Sequence, residues 1–402
     1  MRSPSTNHHC LSIFCSLLVL LSFGCGRDLS PGETLDLQAM AVPVEGLAVP
    51  ASPSNAVADN PAAAALGQRI FFDKGFSHDG TVACASCHGS DQGWSDDRNV
   101  SAGVAGRQGA RHSMPVLTAA QQSWWFWDGR ADSMWSQAIA AMESDDEMDF
   151  SRAQAAHYVA KNYREEYEAI FGKLPNLTGV PARTKPGLPG WEGLSQTQRT
   201  NVERVFVNVG KVLEAYERKL DCSDTRFDRW ARGEVTMTNQ EANGAATFMR
   251  EGCADCHSGP NLSDGKFHNI GIGSNGPGPD NGRQKGVIAL ALNEFNAAGP
   301  YSDDRVWGAS RLQAASAETQ TLGAFRTPTL RGAAQRRSFG HRGDHDTLRQ
   351  FLAHYDRVRP QSSAVGMLDP LLSGVDLDNR QSVETFLRML DCGPVAPSLT
   401  VH

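Results

Sequence analysis

Apolar residues recur at helical spacing along most of the chain. Val202, Val205, Phe206, Val209, Val212, Leu213 and Tyr216 follow the i, i+3, i+4, i+7 pattern and predict a long amphipathic helix over residues 198–219. Asn60-Pro61 is an N-cap followed by proline at the first helical position, and predicts a helix through about Phe72. Ser151 can cap a helix that continues through Tyr163, Tyr167, Ile170 and Phe171, and Thr238 to Glu241 form a capping box. Leu348, Phe351, Leu352 and Tyr355 mark another helix, and Val383, Phe386, Leu387 and Leu390 the last. Between these lie stretches without period. Residues 26–59 are rich in Pro, Ala, Ser and Gly and read as a flexible tether. Gly93 to Gly109, Pro175 to Gly193 and Asn261 to Ser310 read as loops. The class expected is mainly α.

Two of the predicted helices lead into the same short motif. Cys84-Ala-Ser-Cys87-His88 follows the first, and Cys253-Ala-Asp-Cys256-His257 follows the capping box. Two thiols spaced C-x-x-C with a histidine directly after the second suit covalent haem attachment: the thiols form thioethers with the porphyrin, and the imidazole binds iron. A lone C-x-x-C could equally be half a zinc site or a redox disulfide. Two copies, each with its histidine, point to two c-type haems with His88 and His257 as proximal ligands. The expected architecture is two cytochrome c-like haem domains packed together, over residues 60–220 and 221–402.

Charge and cysteine usage narrow the setting. The 402 residues carry a formal charge of −7, with no basic run of the kind that binds nucleic acid. Arg2, the apolar run from Leu11 to Phe23 and Gly24-Cys25 have the layout of a secretory signal over residues 1–25, too short for a membrane span. That layout points to a periplasmic location, and Leu21 to Cys25 resembles a loose lipoprotein box that would place a lipid anchor on Cys25. Four of the nine cysteines hold haem and three lie in the signal. Cys222 and Cys392 remain, and could pair in an oxidising compartment.

The segment between the motifs holds an unusual cluster. Trp124-Trp125-Phe126-Trp127-Asp128-Gly129-Arg130 is followed by Gln137 and then by Glu143-Ser-Asp-Asp-Glu147. On spacing alone these are cavity-wall aromatics and solvated carboxylates. The wider pattern of Gly93-Trp94, Gly106-Arg107, Phe126 to Arg130, Gln137-Ala138 and Glu147-Met148, with Phe325 to Arg331 and His341 to Tyr355 further on, resembles the bacterial di-haem cytochrome c peroxidase and MauG family. The likeness runs over roughly residues 60 to 395.

That resemblance implies that the first haem is the peroxidatic one. It also implies that Gln137 and Glu147 are the distal glutamine and acid-base glutamate, and that Trp127 lies between the haems. Glu143 is the alternative acid. The departures matter too. The distal histidine of the peroxidases falls at Val104, which cannot bind iron, so the first haem is expected to be open. His112 matches the family's calcium-binding asparagine, which puts calcium between the haems in doubt; the alternative is that His112 substitutes as the distal ligand. The sixth ligand of the second haem falls at Gly340, leaving His341, Tyr301 or no protein ligand. MauG's surface tryptophan falls at Glu251.

The function expected is hydrogen-peroxide-dependent oxidation. The electrons would come either from a small cytochrome c or copper protein, or from a side chain of a partner protein. A di-haem electron-transfer cytochrome without peroxide chemistry is the alternative.

Overall fold

A computed structural model describes residues 29–272, 278–316, 321–356, 365–375, 377 and 379–400. The expected signal and Cys25 lie outside them. The helices run α1 (Pro31–Gln38), α2 (Pro61–Phe72), α3 (Met134–Glu143), α4 (Arg152–Asn162), α5 (Arg164–Phe171), α6 (Gln196–Glu217) and α7 (Arg226–Ala231). They continue as α8 (Asn239–Arg250), the single turn α9 (Cys253–Cys256), α10 (Arg283–Leu292), α11 (Arg305–Ser316), α12 (Leu348–Tyr355) and α13 (Arg380–Arg388). Among the described residues the only β ladder is β1 (Phe267–His268) antiparallel to β2 (Phe325–Arg326), with Phe267 opposite Arg326.

The stripe that predicts α6 is buried along its whole length, because α2, α3 and α4 pack around it. The approach is close enough to require glycine. A Cβ on Gly67 of α2 would fall 1.8 Å from the Val212 carbonyl oxygen, and one on Gly210 would fall 2.5 Å from that of Trp135. A second core repeats the device, with Gly244 of α8 crossing α13 so tightly that a Cβ would lie 1.9 Å from the Ser382 oxygen. Each motif-bearing helix therefore crosses a later helix backbone to backbone, and the haem motif follows where the crossing leaves it.

Phe71, Phe206, Val209 and Leu213 belong to the first core, and Phe227, Phe248, Phe386 and Leu387 to the second. A fully buried ion pair braces the second: both Arg331 terminal nitrogens lie 2.9 Å from an Asp228 carboxylate oxygen. Cys222 and Cys392 form a disulfide.

Two expectations change. The tether is packed from residue 29 onward. Ser30 and Glu33 form a capping box for α1, Glu33 pairs with Arg250, and Leu37, Met40 and Val42 are buried. The Val42 N–H donates to Asp228, and Trp135 Nε1 donates to buried Ser54 Oγ at 3.1 Å. Single apolar anchors in a Pro- and Ala-rich stretch carry no period, so composition alone misread them. Likewise the loop expected over residues 261–310 contains α10 and the start of α11. Both helices leave apolar residues outside, including Ile288, Leu292 and Val306, so neither has the one-sided stripe that marks a helix. No helix among the described residues is long and apolar enough to cross a membrane.

Candidate active site

Two cavities follow the two motifs. The first, about 740 Å³, is lined by Cys84, Cys87, His88, Gln137, Glu147 and Trp127. The second, about 160 Å³, is lined by Cys253, Cys256, His257, His341 and Tyr355, and again by Trp127. The loop from Trp124 to Arg130 places Trp127 between them. Phe126 and Gly129 both take positive φ (63° each), and a Cβ on Gly129 would meet Phe267 and Arg283 within 2.5 Å. The Trp127 carbonyl accepts from the Arg326 N–H of β2 at 2.8 Å, which ties this loop to the second unit.

In the first cavity Gln137 projects from α3, and Glu147 from the turn that follows it. The Glu147 backbone is pinned from the opposite side, since its carbonyl accepts the Val104 N–H at 2.8 Å. A Cβ on Gly103 would sit 2.2 Å from the Asp146 oxygen. Val104 is thus buried directly against the turn that carries Glu147. Burial pushes the Glu147 carboxyl up to about 7, with Asp146 adding to the effect and Arg130 opposing it. Glu143 does not share the cavity, because it is paired with Arg152, which also holds Glu203 and Glu294.

His112 is not free to cap an iron. Its Nδ1–H donates to the Arg98 and Asn99 carbonyls at 3.1 and 3.2 Å, and its Nε2 lies 3.2 Å from Ser95 Oγ. Its backbone bridges the cavities instead: its carbonyl accepts Trp127 Nε1–H at 2.8 Å, and its N–H donates to the His341 carbonyl at 2.9 Å.

In the second cavity the candidates separate. Tyr301 lies elsewhere, packed on the first core with its hydroxyl on Glu203. His341 stacks on Phe325 with ring centres 3.7 Å apart, and its Nε2 is 3.5 Å from Asp280. Tyr355 was missed by the sequence reading, which took it as one more core position of α12. It faces the cavity beside both Cys253 and Cys256, and its hydroxyl makes no hydrogen bond with a described residue. A phenol in an otherwise apolar stripe was the available signal. Glu217 was also missed. It lines the first cavity at 5% exposure, and burial with Glu214 nearby pushes it up to about 8.

The residues present fit haem. The His257 Nδ1–H donates to the Leu262 carbonyl at 3.0 Å, which leaves Nε2 for iron. Arg326 is buried and Arg336 half-buried at the cavities, and desolvation pushes each down to about 10. Arg336 Nε has no acceptor among the described residues. Haem propionates are the carboxylates such guanidiniums lack.

Comparison with known proteins points the same way. Residues 61–236 match the sequence profile of the di-haem cytochrome c peroxidases. The cytochrome-c peroxidase IdrP2 of a Pseudomonas species is 29% identical over 350 residues, spanning 85% of this chain and 84% of its own. The methylamine utilization protein MauG of Methylorubrum extorquens is 31% identical over 258 residues, 61% of this chain and 65% of its own. The profile match and these relatives support a protein of the di-haem cytochrome c peroxidase and MauG kind. This di-haem peroxidase carries two c-type haems and is an enzyme rather than a plain electron carrier. Its fold is that of the diheme peroxidase BthA of Burkholderia thailandensis (TM-score 0.63, 19% identity, 88% of this chain and 90% of that one). It is likewise that of a MauG-like protein associated with microbial copper homeostasis (TM-score 0.62, 22% identity, 90% and 99%).

Proposed function

We propose that hydrogen peroxide is cleaved in the first cavity without prior reduction, and that the oxidising equivalents pass by way of Trp127 to act on a side chain of a partner protein. The observation that carries this is buried Val104: at the position where the resemblance puts the peroxidases' distal histidine stands a residue that cannot bind iron, so no protein ligand has to leave. Bound at His88, haem iron supplies the redox chemistry. The residues around it supply the protons. Glu147, as carboxylate, takes the proton from the near oxygen of peroxide and returns it to the far one, and the Gln137 amide holds the oxygens by hydrogen bonding. Trp127, walling both cavities, is the aromatic bridge between them.

His257 and Tyr355 would hold the second haem: the Tyr355 hydroxyl has no partner among the described residues, and His341, whose buried Nε2 also lacks a hydrogen bond although it lies 3.5 Å from Asp280, is the competing ligand. An anionic oxygen ligand disfavours reduced iron, unlike a thioether. That suits a haem that stores oxidising equivalents for a protein substrate better than one that receives electrons from a small cytochrome c or copper protein. The haem motifs and the Cys222–Cys392 disulfide support a periplasmic setting.

The test is stopped-flow absorbance of the diferric protein with one equivalent of peroxide, beside the Tyr355→Phe variant. A fast Soret change to a long-lived oxidised species is expected for the wild type, and a changed second-haem spectrum with a shortened lifetime for the variant. A protein silent until one haem is reduced would instead be a reductively activated peroxidase. A variant with an unaltered spectrum would return the ligand role to His341.

A further inference from the structure

Of the three neighbouring tryptophans, Trp125 and Trp127 line a haem cavity and Trp124 does not. Trp124 turns the other way, 7% exposed, into a small apolar cluster with Leu290 of α10 and Ala315 of α11. Two guanidiniums lie over its ring. The central carbon of Arg311 is 4.0 Å from the ring centre and that of Arg283 is 4.5 Å away. Arg283 also lies 4.1 Å from the Phe267 ring, and Arg311 lies 5.4 Å from that of Trp307. Both cations are fixed, Arg283 by the Gly129 carbonyl at 2.7 Å and Arg311 by the Ser123 carbonyl. Ring and cation therefore alternate from Phe267 in β1 through Trp124 to half-buried Trp307, which adjoins exposed Val306 on α11. Trp127 is treated differently. Its Nε1–H donates to the His112 carbonyl, and no guanidinium lies over its ring among the described residues.

An indole that gives up an electron becomes positive. A guanidinium near 4 Å is attracted to the neutral ring and repels the oxidised one, and burial strengthens both effects. Arginine does not escape by deprotonation. A carbonyl oxygen on the indole N–H has the opposite sign and favours the oxidised ring. We propose that Arg283 and Arg311 are an electrostatic guard on Trp124. They make it the hardest of the three tryptophans to oxidise, and so close the route through Trp307 to the outer face of α10 and α11. Oxidising equivalents are thereby held at Trp127 and the two haem cavities. This rests on the peroxide chemistry proposed above.

The leak that the guard prevents has a defined product. An oxidised Trp124 ring would lose two electrons and two protons and gain one oxygen from water. Those electrons and protons would reduce one hydrogen peroxide to two waters. The net change is one peroxide spent, one indole hydroxylated and one water formed.

The experiment treats holoprotein carrying both haems with peroxide and measures hydroxylation at Trp124 and Trp307 by peptide mass spectrometry, in wild type, Arg311→Gln and Arg311→Lys. Loss of the charge should raise hydroxylation at Trp124 at least about tenfold, whereas lysine, which keeps the charge, should stay within about twofold of wild type. An Arg311→Gln protein that consumes peroxide with Trp124 as unmodified as in wild type overturns the guard. So does an Arg311→Lys protein as modified as Arg311→Gln, since lost packing would then be the cause. Should none of the three consume peroxide, the function proposed above fails on its own. The guard is then judged by the same ratio after a photogenerated one-electron oxidant.

Discussion

The two haem cavities are built on one scaffold and furnished differently. In each, a helix leading to the C-x-x-C-H motif crosses a later helix through a glycine, Gly67 against Val212 and Gly244 against Ser382. The first cavity is about 740 Å³ and holds proton-bearing groups in Gln137, Glu147 and Glu217. The second is about 160 Å³ and walled largely by apolar residues, among them Leu348, Leu352, Phe351 and Leu387. The proximal histidines are alike in setting: the Leu262 carbonyl orients His257 at 3.0 Å, and the Trp94 backbone stands in the corresponding place beside His88. A hydrogen-bonded Nδ1–H makes imidazole the stronger donor to iron and favours oxidised states. The difference between the cavities teaches that motif and crossing set where a haem sits, while the segments between them set what it does.

The sharpest way to break this contrast is Glu147→Gln. Peroxide cleavage should slow by about 100-fold or more, while the absorbance of the second haem stays unchanged. Rapid-mixing kinetics beside a static spectrum checks both halves. Next in size is a test of the second scaffold alone. Asp228→Ala leaves Arg331 buried without its partner and should cost about 3–5 kcal/mol in denaturant unfolding. If the pair mattered little, the midpoint would not move.

The smallest expected effect is in pH. Glu147 must be a carboxylate to accept a proton, and its carboxyl protonates at about 7. The cleavage rate should therefore be level above that pH and fall below it, approaching about tenfold per unit. In Glu147→Gln the falling limb should vanish from the pH–rate profile. A limb that survived near 8 would assign the proton to Glu217 instead.

Much of the scaffold was legible because it is periodic. The stripe from Val202 to Tyr216 appears as α6 within two residues, and the caps at Asn60, Ser151 and Thr238 begin the helices expected of them. The helix expected behind Ser151 breaks at Tyr163 into α4 and α5. Trp127, Gln137 and Glu147 were legible only through a resemblance, since nothing in their spacing marks them, and the structure gathers all three at the first cavity. Tyr355 was hidden for the opposite reason: it fits its helical stripe too well to stand out. The packed strap at residues 29–59 escaped because a few isolated anchors, held by partners more than 80 positions away, leave no local pattern.

The C-terminal tail of the described chain finishes on the first core, as does the strap near Ser54, whereas residues 29–42 pack on the second. Ser54 receives Trp135, the Leu399 carbonyl accepts the Tyr216 hydroxyl at 2.6 Å, and the Ser398 carbonyl accepts the Gln68 amide at 2.7 Å. Contacts this distant in sequence close slowly, and a chain made from its N-terminus supplies residues 392–400 last. The unit that is synthesised first is therefore the last to be sealed. The second unit, by contrast, completes its core from Phe227 to Leu390 around Leu37 and Met40 of the strap, all of them made before the tail.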